Sequence, residues 1–200
     1  MNVIFWDFDG VLMDSNAIRN TGFEKVLADY PPEQVEQLLS FHKANGGLSR
    51  YVKFRYFFEK IRNESVMEEQ ITILATRFSV IMKDLLLNED LLFSETLDFV
   101  KRNQGNYKMH ITSGSDQEEL RYLCESLKIS YLFDSVHGSP TAKIFLIKDL
   151  IDLHKYDHSK CVLIGDSIND WEAADANGIL FMAYNSDEIV KSKTNYSFIF

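Results

Sequence analysis

Apolar positions fall into two rhythms along this chain. Val3-Ile4-Phe5-Trp6, Cys161-Val162-Leu163-Ile164 and Ile179-Leu180-Phe181-Met182 are short unbroken runs, and Met109-His110-Ile111-Thr112 is a mixed one. Runs of that length with no polar alternation suit strands covered on both faces. Residues 132–137 form a fifth strand-like run. Between these runs the spacing shifts to the helical three-and-four pattern, over 97–103, 118–128, 144–153 and 172–176. Strands alternating with helices predict right-handed crossovers and an α/β fold built on a doubly wound, mostly parallel, Rossmann-like sheet.

That alternation is interrupted once. From about residue 15 to residue 92 the sequence contains no convincing strand. Ile18, Phe23, Val26 and Leu27 share one helical face, and Pro31-Pro32 breaks it. Val35, Leu38, Leu39 and His42 predict a second helix, which stops at Asn45-Gly46-Gly47. Ser49 can cap a third helix over 50–62, and a fourth is expected over 66–87. The expected organisation is therefore a core of residues 1–14 and 92–200 with an all-α cap, residues 15–91, inserted after the first strand.

Composition narrows the picture without changing it. Two hundred residues, 46% hydrophobic and 26% charged, are enough for one soluble core with a modest insertion. No segment approaches the roughly 20 apolar residues of a membrane span. The chain runs straight into the first strand with no basic leader and apolar stretch, so no signal peptide is expected. Cys124 and Cys161 read as reduced core residues of a cytoplasmic protein. Lys and Arg number 21 against 30 Asp and Glu, a net charge of −9. That field disfavours nucleic acid and anionic membrane as partners. A small anion would need local cations and a metal. Oligomeric state is not readable from these features.

Candidate chemistry sits at the ends of the predicted strands, where parallel sheets place their ligands. Asp7 and Asp9 follow the first strand, two residues apart and hence on one side of the chain; an acidic turn closed by Gly10 is the plainer alternative. Ser113-Gly114-Ser115 lies just past the second strand, where a hydroxyl and free amides suit an oxyanion, or where a serine simply caps a helix. Asp166 emerges after the run at 161–164, and Asp170 follows one helical turn later. Carboxylates gathered there repel unless a divalent cation holds them, and an oxygen-only set suits Mg²⁺. Lys143 opens a predicted helix, where the helix dipole disfavours a cation unless an anion faces it; a solvated surface lysine is the alternative.

Taken in order, Asp7-Phe8-Asp9-Gly10-Val11, Ser113, Lys143 and Gly165-Asp166-x-x-x-Asp170 resemble the four motifs of the haloacid dehalogenase-like superfamily. The helical insertion resembles the cap of the subfamily that includes phosphoglycolate phosphatase and beta-phosphoglucomutase. The resemblance implies a Mg²⁺-dependent phosphatase of a small phosphorylated metabolite, a sugar or sugar-acid phosphate. Asp7 would be the nucleophile forming an aspartyl-phosphate, and Asp9 the general acid and base. Asp7, Asp9 through its carbonyl, Asp166 and Asp170 would hold the metal, while Ser113, Gly114 and Lys143 would bind the phosphoryl group. The loop around Gly46-Gly47-Leu48-Ser49-Arg50 resembles a specificity loop that places an arginine on the distal part of the substrate, here Arg50; a solvated Arg50 behind a Gly-Gly helix stop is the alternative. Mutase-like members usually carry a histidine where this chain has Arg19, which favours hydrolysis over phosphoryl shuttling. The rivals are a phosphomutase and a catalytically idle protein that binds a phosphate ester.

Overall fold

The computed structural model describes residues 2–194 and 196–198. Five parallel strands form one sheet in the order β3-β2-β1-β4-β5: β1 Val3–Trp6, β2 Lys108–Asp116, β3 Ser135–Ser139, β4 Cys161–Gly165 and β5 Leu180–Ala183. The first strand of the sequence lies at the centre, so the chain winds outward in both directions. All four residues of β1 are buried. Ile4 and Trp6 point into one apolar cluster while Val3 and Phe5 point into the other. This period-two division explains why the run shows no polar alternation: neither face meets water.

Helices α5 (Ser94–Arg102) and α6 (Gln117–Ser126) close one face; α7 (Lys143–His154) and α8 (Ile168–Ala176) close the other. Between β1 and α5 lie only helices: α1 Asn16–Val26, α2 Pro32–Ala44, α3 Arg50–Tyr56 and α4 Glu68–Leu85, with a π-helical turn Phe57–Ile61 and a 3₁₀ turn Glu89–Leu91. This helical cap has an aromatic interior. Phe23 and Phe78 meet at a tilt of 48° with centroids 4.5 Å apart, and Phe54 meets Phe23 edge-on at 5.4 Å. The chain leaves and returns to the core side by side. Asp14 N–H donates to Leu91 O at 2.7 Å, Phe93 N–H donates to Leu12 O at 3.0 Å, and Met13 bridges Leu92 in antiparallel fashion.

Element limits depart from the sequence expectation in a few places, each with a local cause. Strand β2 continues through Ser113-Gly114-Ser115 to Asp116, across an irregularity in its pairing with β3. Those three residues are thus an irregular strand end rather than a turn, and Asp116, not Ser113, caps α6 by accepting from the amides of Glu118 and Glu119. Residues Ser130–Leu132 form a 3₁₀ turn, which delays β3 to Ser135. Helix α8 starts at Ile168 rather than at 172, set by a capping box between Ser167 and Asp170.

Candidate active site

The carboxyl ends of β1, β2 and β4 converge under the cap. Asp7 continues β1, its amide donating to Ile164 O at 3.0 Å, and its side chain is almost wholly buried. Gly10 turns the chain at φ +80°, a conformation that a side chain disfavours. A Cβ there would also lie 2.0 Å from Asp166 Oδ2, so the turn and the fourth-strand carboxylate are packed against one another.

Lys143, the first residue of α7, reaches back into this cluster. Its ammonium donates to Asp7 Oδ1 at 2.7 Å and to Asp170 Oδ1. Both pairings are buried, which answers why a lysine tolerates a helix N-terminus: two carboxylates face it. The other oxygen of Asp170 accepts from the Ser167 amide at 3.0 Å and hydroxyl at 2.7 Å. Among the described residues Asp166 accepts from one neutral donor, Asn16 Nδ2 at 3.1 Å.

Asp7, Asp166 and Asp170 bring one oxygen each within 4.8 Å of one another, a set that can hold a metal ion. Burial, then repulsion from Asp170 and Asp9, raises Asp7 to about 7 despite Lys143. Burial and repulsion from Asp7 and Asp170 push Asp166 well above the usual carboxylate range. Carboxylates that resist ionisation for want of positive charge are what a divalent cation corrects. The donors are all oxygen, which fits a hard cation such as Mg²⁺.

Asp9 sits in a different environment. Its carboxylate accepts from Arg19 Nε at 2.9 Å, from Ser115 Oγ at 2.5 Å and from Ser15 Oγ. Burial opposes ionisation, but Arg19 and the two hydroxyls outweigh it and hold Asp9 at about 2. Two carboxylates two residues apart are therefore driven in opposite directions, a separation that suits distinct chemical roles.

Arg19 extends this network across the cap–core boundary. It donates to Ser115 Oγ at 2.8 Å and to Glu119 Oε1, and Glu119 also accepts from Arg50 Nη1 at 2.5 Å and Nη2 at 2.9 Å. Glu119 belongs to α6 and is fully buried, held ionised by the two guanidinium groups. Arg50 lies over the Phe78 ring at 4.5 Å and donates to Ser79 Oγ at 2.8 Å.

The expected site residues Asp7, Asp9, Ser113, Gly114, Arg50 and Asp166 all border one cavity. Asp170 and Lys143 stand behind its carboxylate wall. Ser113 is buried, its Oγ accepting from the Ser115 amide at 3.0 Å. Gly114 lies directly beneath the cap loop, where a Cβ would meet Gly47 O at 2.4 Å. Only about 30 Å³ of the cavity is open to the centre of a water-sized sphere. That is room for roughly two waters. Sequence reasoning did not single out Ser15, Ser115 and Glu119. Ser115 lay inside the quoted Ser-Gly-Ser run; nothing along the chain distinguishes Glu119 from any acidic residue of a helix's first turn.

No curated protein matches the chain. Solved structures resemble it in fold. Beta-phosphoglucomutase from Clostridium difficile superposes with a TM-score of 0.77 at 17% identity, covering 100% of this chain and 91% of that one. A predicted phosphatase from Clostridium acetobutylicum gives 0.77 at 16% identity over 98% and 92%. CbbY from Rhodobacter sphaeroides, in complex with xylulose-(1,5)bisphosphate, gives 0.73 at 14% identity over 99% and 93%. The profile described as Haloacid dehalogenase-like hydrolase matches residues 3–184, nine-tenths of the sequence, and the chain belongs to that family.

Proposed function

We propose that this protein is a divalent-metal-dependent phosphatase of a small phosphorylated metabolite, a sugar or sugar-acid phosphate, acting through an aspartyl-phosphate on Asp7. The observation that carries this reading is the pair Asp7 and Asp9: adjacent carboxylates, one facing Lys143 and the acidic cluster, the other held by Arg19 and two hydroxyls. An oxygen of Asp7 attacks phosphorus while the ester oxygen departs. Held low by Arg19 and two hydroxyls, Asp9 is ready to take the proton of the water that later attacks the phosphoenzyme. Its acid role requires the dianionic phosphoryl group to raise its proton affinity first. Ser113 and the Gly114 amide receive non-bridging oxygens, and Lys143 offsets the charge on Asp7. Asp7, the Asp9 carbonyl and Asp166 would hold Mg²⁺, with Asp170 behind them; when bound it neutralises the carboxylates and draws the phosphoryl oxygens in.

Residues 15–91 act in this reading as a cap over the core formed by 1–14 and 92–200, which keeps macromolecular esters out. Arg19 favours hydrolysis over isomerisation. A cation fixed on Asp9 by three hydrogen-bonding neighbours has no proton to shuttle. Inorganic phosphate released from a panel of phosphate esters with Mg²⁺ tests the proposal. Asp7→Asn is expected to abolish release by at least ~1,000-fold. Normal turnover by that variant refutes the nucleophile, and accumulation of an isomerised sugar phosphate in place of free phosphate supports the mutase instead.

A further inference from the structure

Three cations of the cap, Arg19, Arg50 and Lys53, line the same cavity as Asp7. Two of them are already neutralised. Arg19 pairs with Asp9 and Glu119, and Arg50 pairs with Glu119 through both terminal nitrogens. Lys53 differs. It is 3% exposed, and its ammonium meets one main-chain acceptor, Gly46 O at 3.0 Å. Among the described residues no carboxylate lies within ion-pair distance of it. His42 borders the same space, buried, with its Nδ1 lacking any partner. A buried ammonium without a counter-charge is costly unless something supplies one.

We infer that Lys53, assisted by His42, is the receptor for a single negative charge at the end of the substrate remote from the phosphoryl group, and that Glu119 takes Arg50 out of that role. The inference rests on the phosphatase reading and narrows it: the preferred ester carries a carboxylate. The charge count selects the class. Asp7 and Asp166 also line the cavity but belong to the carboxylate cluster that faces Lys143 and would hold the metal. Of the other charges, Arg19 and Arg50 contribute two positive ones, Glu119 and Asp9 two negative ones, and Lys53 remains with one. A carboxylate cancels it; a second phosphate would leave a buried excess of negative charge. Burial draws Lys53 down to about 7, so part of the population is uncharged near neutrality, and a bound carboxylate restores the ammonium. The position also fits the loop geometry, because the helix turn from Arg50 to Lys53 keeps both on the side of α3 that faces the core.

The test compares phosphoglycerate phosphorylated on its terminal carbon with glycerol phosphate, which differs only in carrying a hydroxymethyl group for the carboxylate. The wild-type enzyme is expected to prefer phosphoglycerate in kcat/KM by on the order of 100-fold, mostly through KM. Lys53→Met brings that ratio to within about threefold, whereas Lys53→Arg, which keeps the charge, retains part of it. A ratio unaltered by Lys53→Met overturns the inference. Equal losses on both esters do the same, since they assign Lys53 to cap packing alone. Glycerol bisphosphate outperforming phosphoglycerate overturns the choice of a monoanion. Should neither ester turn over, the phosphatase reading fails separately, and calorimetric binding of phosphoglycerate in Mg²⁺ decides the receptor: weaker binding to Lys53→Met supports it, equal binding refutes it.

Discussion

Asp7 and Asp9 stand two residues apart and titrate in opposite directions, because one faces other carboxylates and the other faces a guanidinium. Without a metal, Asp7 is raised to about 7 and Asp166 is raised as well, so folding takes up protons that the unfolded chain releases near 3.8. The sign follows directly: this contribution is full below the unfolded value and is lost as pH rises through the folded one. Metal-free protein should therefore lose stability from this cluster between about pH 4 and 7, and Mg²⁺ should restore it. Melting curves with and without Mg²⁺ check this: the rise in Tm is expected to be larger at pH 7.5 than at pH 5.5. At a hundred times its Kd the cation adds about 2.7 kcal/mol. Asp166→Asn should remove most of the rise. At this scale the residues of the four motifs could be picked out along the sequence because each lies at or past the end of a strand and strand ends converge. Ser15, Ser115 and Glu119 could not, nor could the partners of Arg19, since these contacts reach up to about a hundred positions along the chain and depend on how the cap settles. Arg50 shows the limit from the other side: its presence in the cavity was legible, but not the carboxylate of α6 that occupies it.

Elements are held together by side chains that cross between them. Glu119 ties α6 of the core to α1 and α3 of the cap through Arg19 and Arg50, all three buried. Such an arrangement is unforgiving of half-removal, because a missing carboxylate strands two positive charges out of water. Glu119→Gln is expected to cost about 3–5 kcal/mol, a fall in Tm of the order of 10 °C for a chain of this size. Combining it with Arg50→Met should cost less than the two changes added, which urea titrations of the four proteins would resolve. The strands and most helices could be placed from periodicity alone. What differs is their ends: β2 runs on through its Ser-Gly-Ser segment, β3 begins late behind a 3₁₀ turn, and α8 begins early at a serine whose capping partner, Asp170, is also a candidate metal ligand. Ends are decided by caps and tertiary fit more than by hydrophobic spacing.

Across the whole molecule, the doubly wound sheet hides polar groups along with apolar ones. His110 lies on β2, buried, between Ser135 Oγ at 2.7 Å and Tyr156 Oη at 3.0 Å. Burial lowers it to about 4 from an ordinary 6.5, against the upward pull of Asp134 and with smaller downward pushes from His154, His137 and Lys108. Here the unfolded chain binds the extra proton. The contribution of His110 is complete above about pH 6.5 and is lost on acidification toward 4. Urea midpoints measured at pH 7.5, 6 and 5 should fall more steeply for the wild type than for His110→Phe. The carboxylate cluster affects both proteins alike and cancels in the comparison. The α/β plan and the inserted helices were visible in the sequence; the buried polar pairings between distant strands were not, for no local rhythm encodes them.

The two crossings between cap and core, hydrogen-bonded to each other at residues 12–14 and 91–93, behave as one leaf of a door. A cap joined to its core along one narrow edge turns about that edge more easily than it slides past it, so one arc is favoured. In the phosphatase reading, a cavity with free space of about 30 Å³ would have to widen along that arc to admit an ester and release its product. The tempo of such a cycle would then rest on a handful of backbone atoms set apart from Asp7.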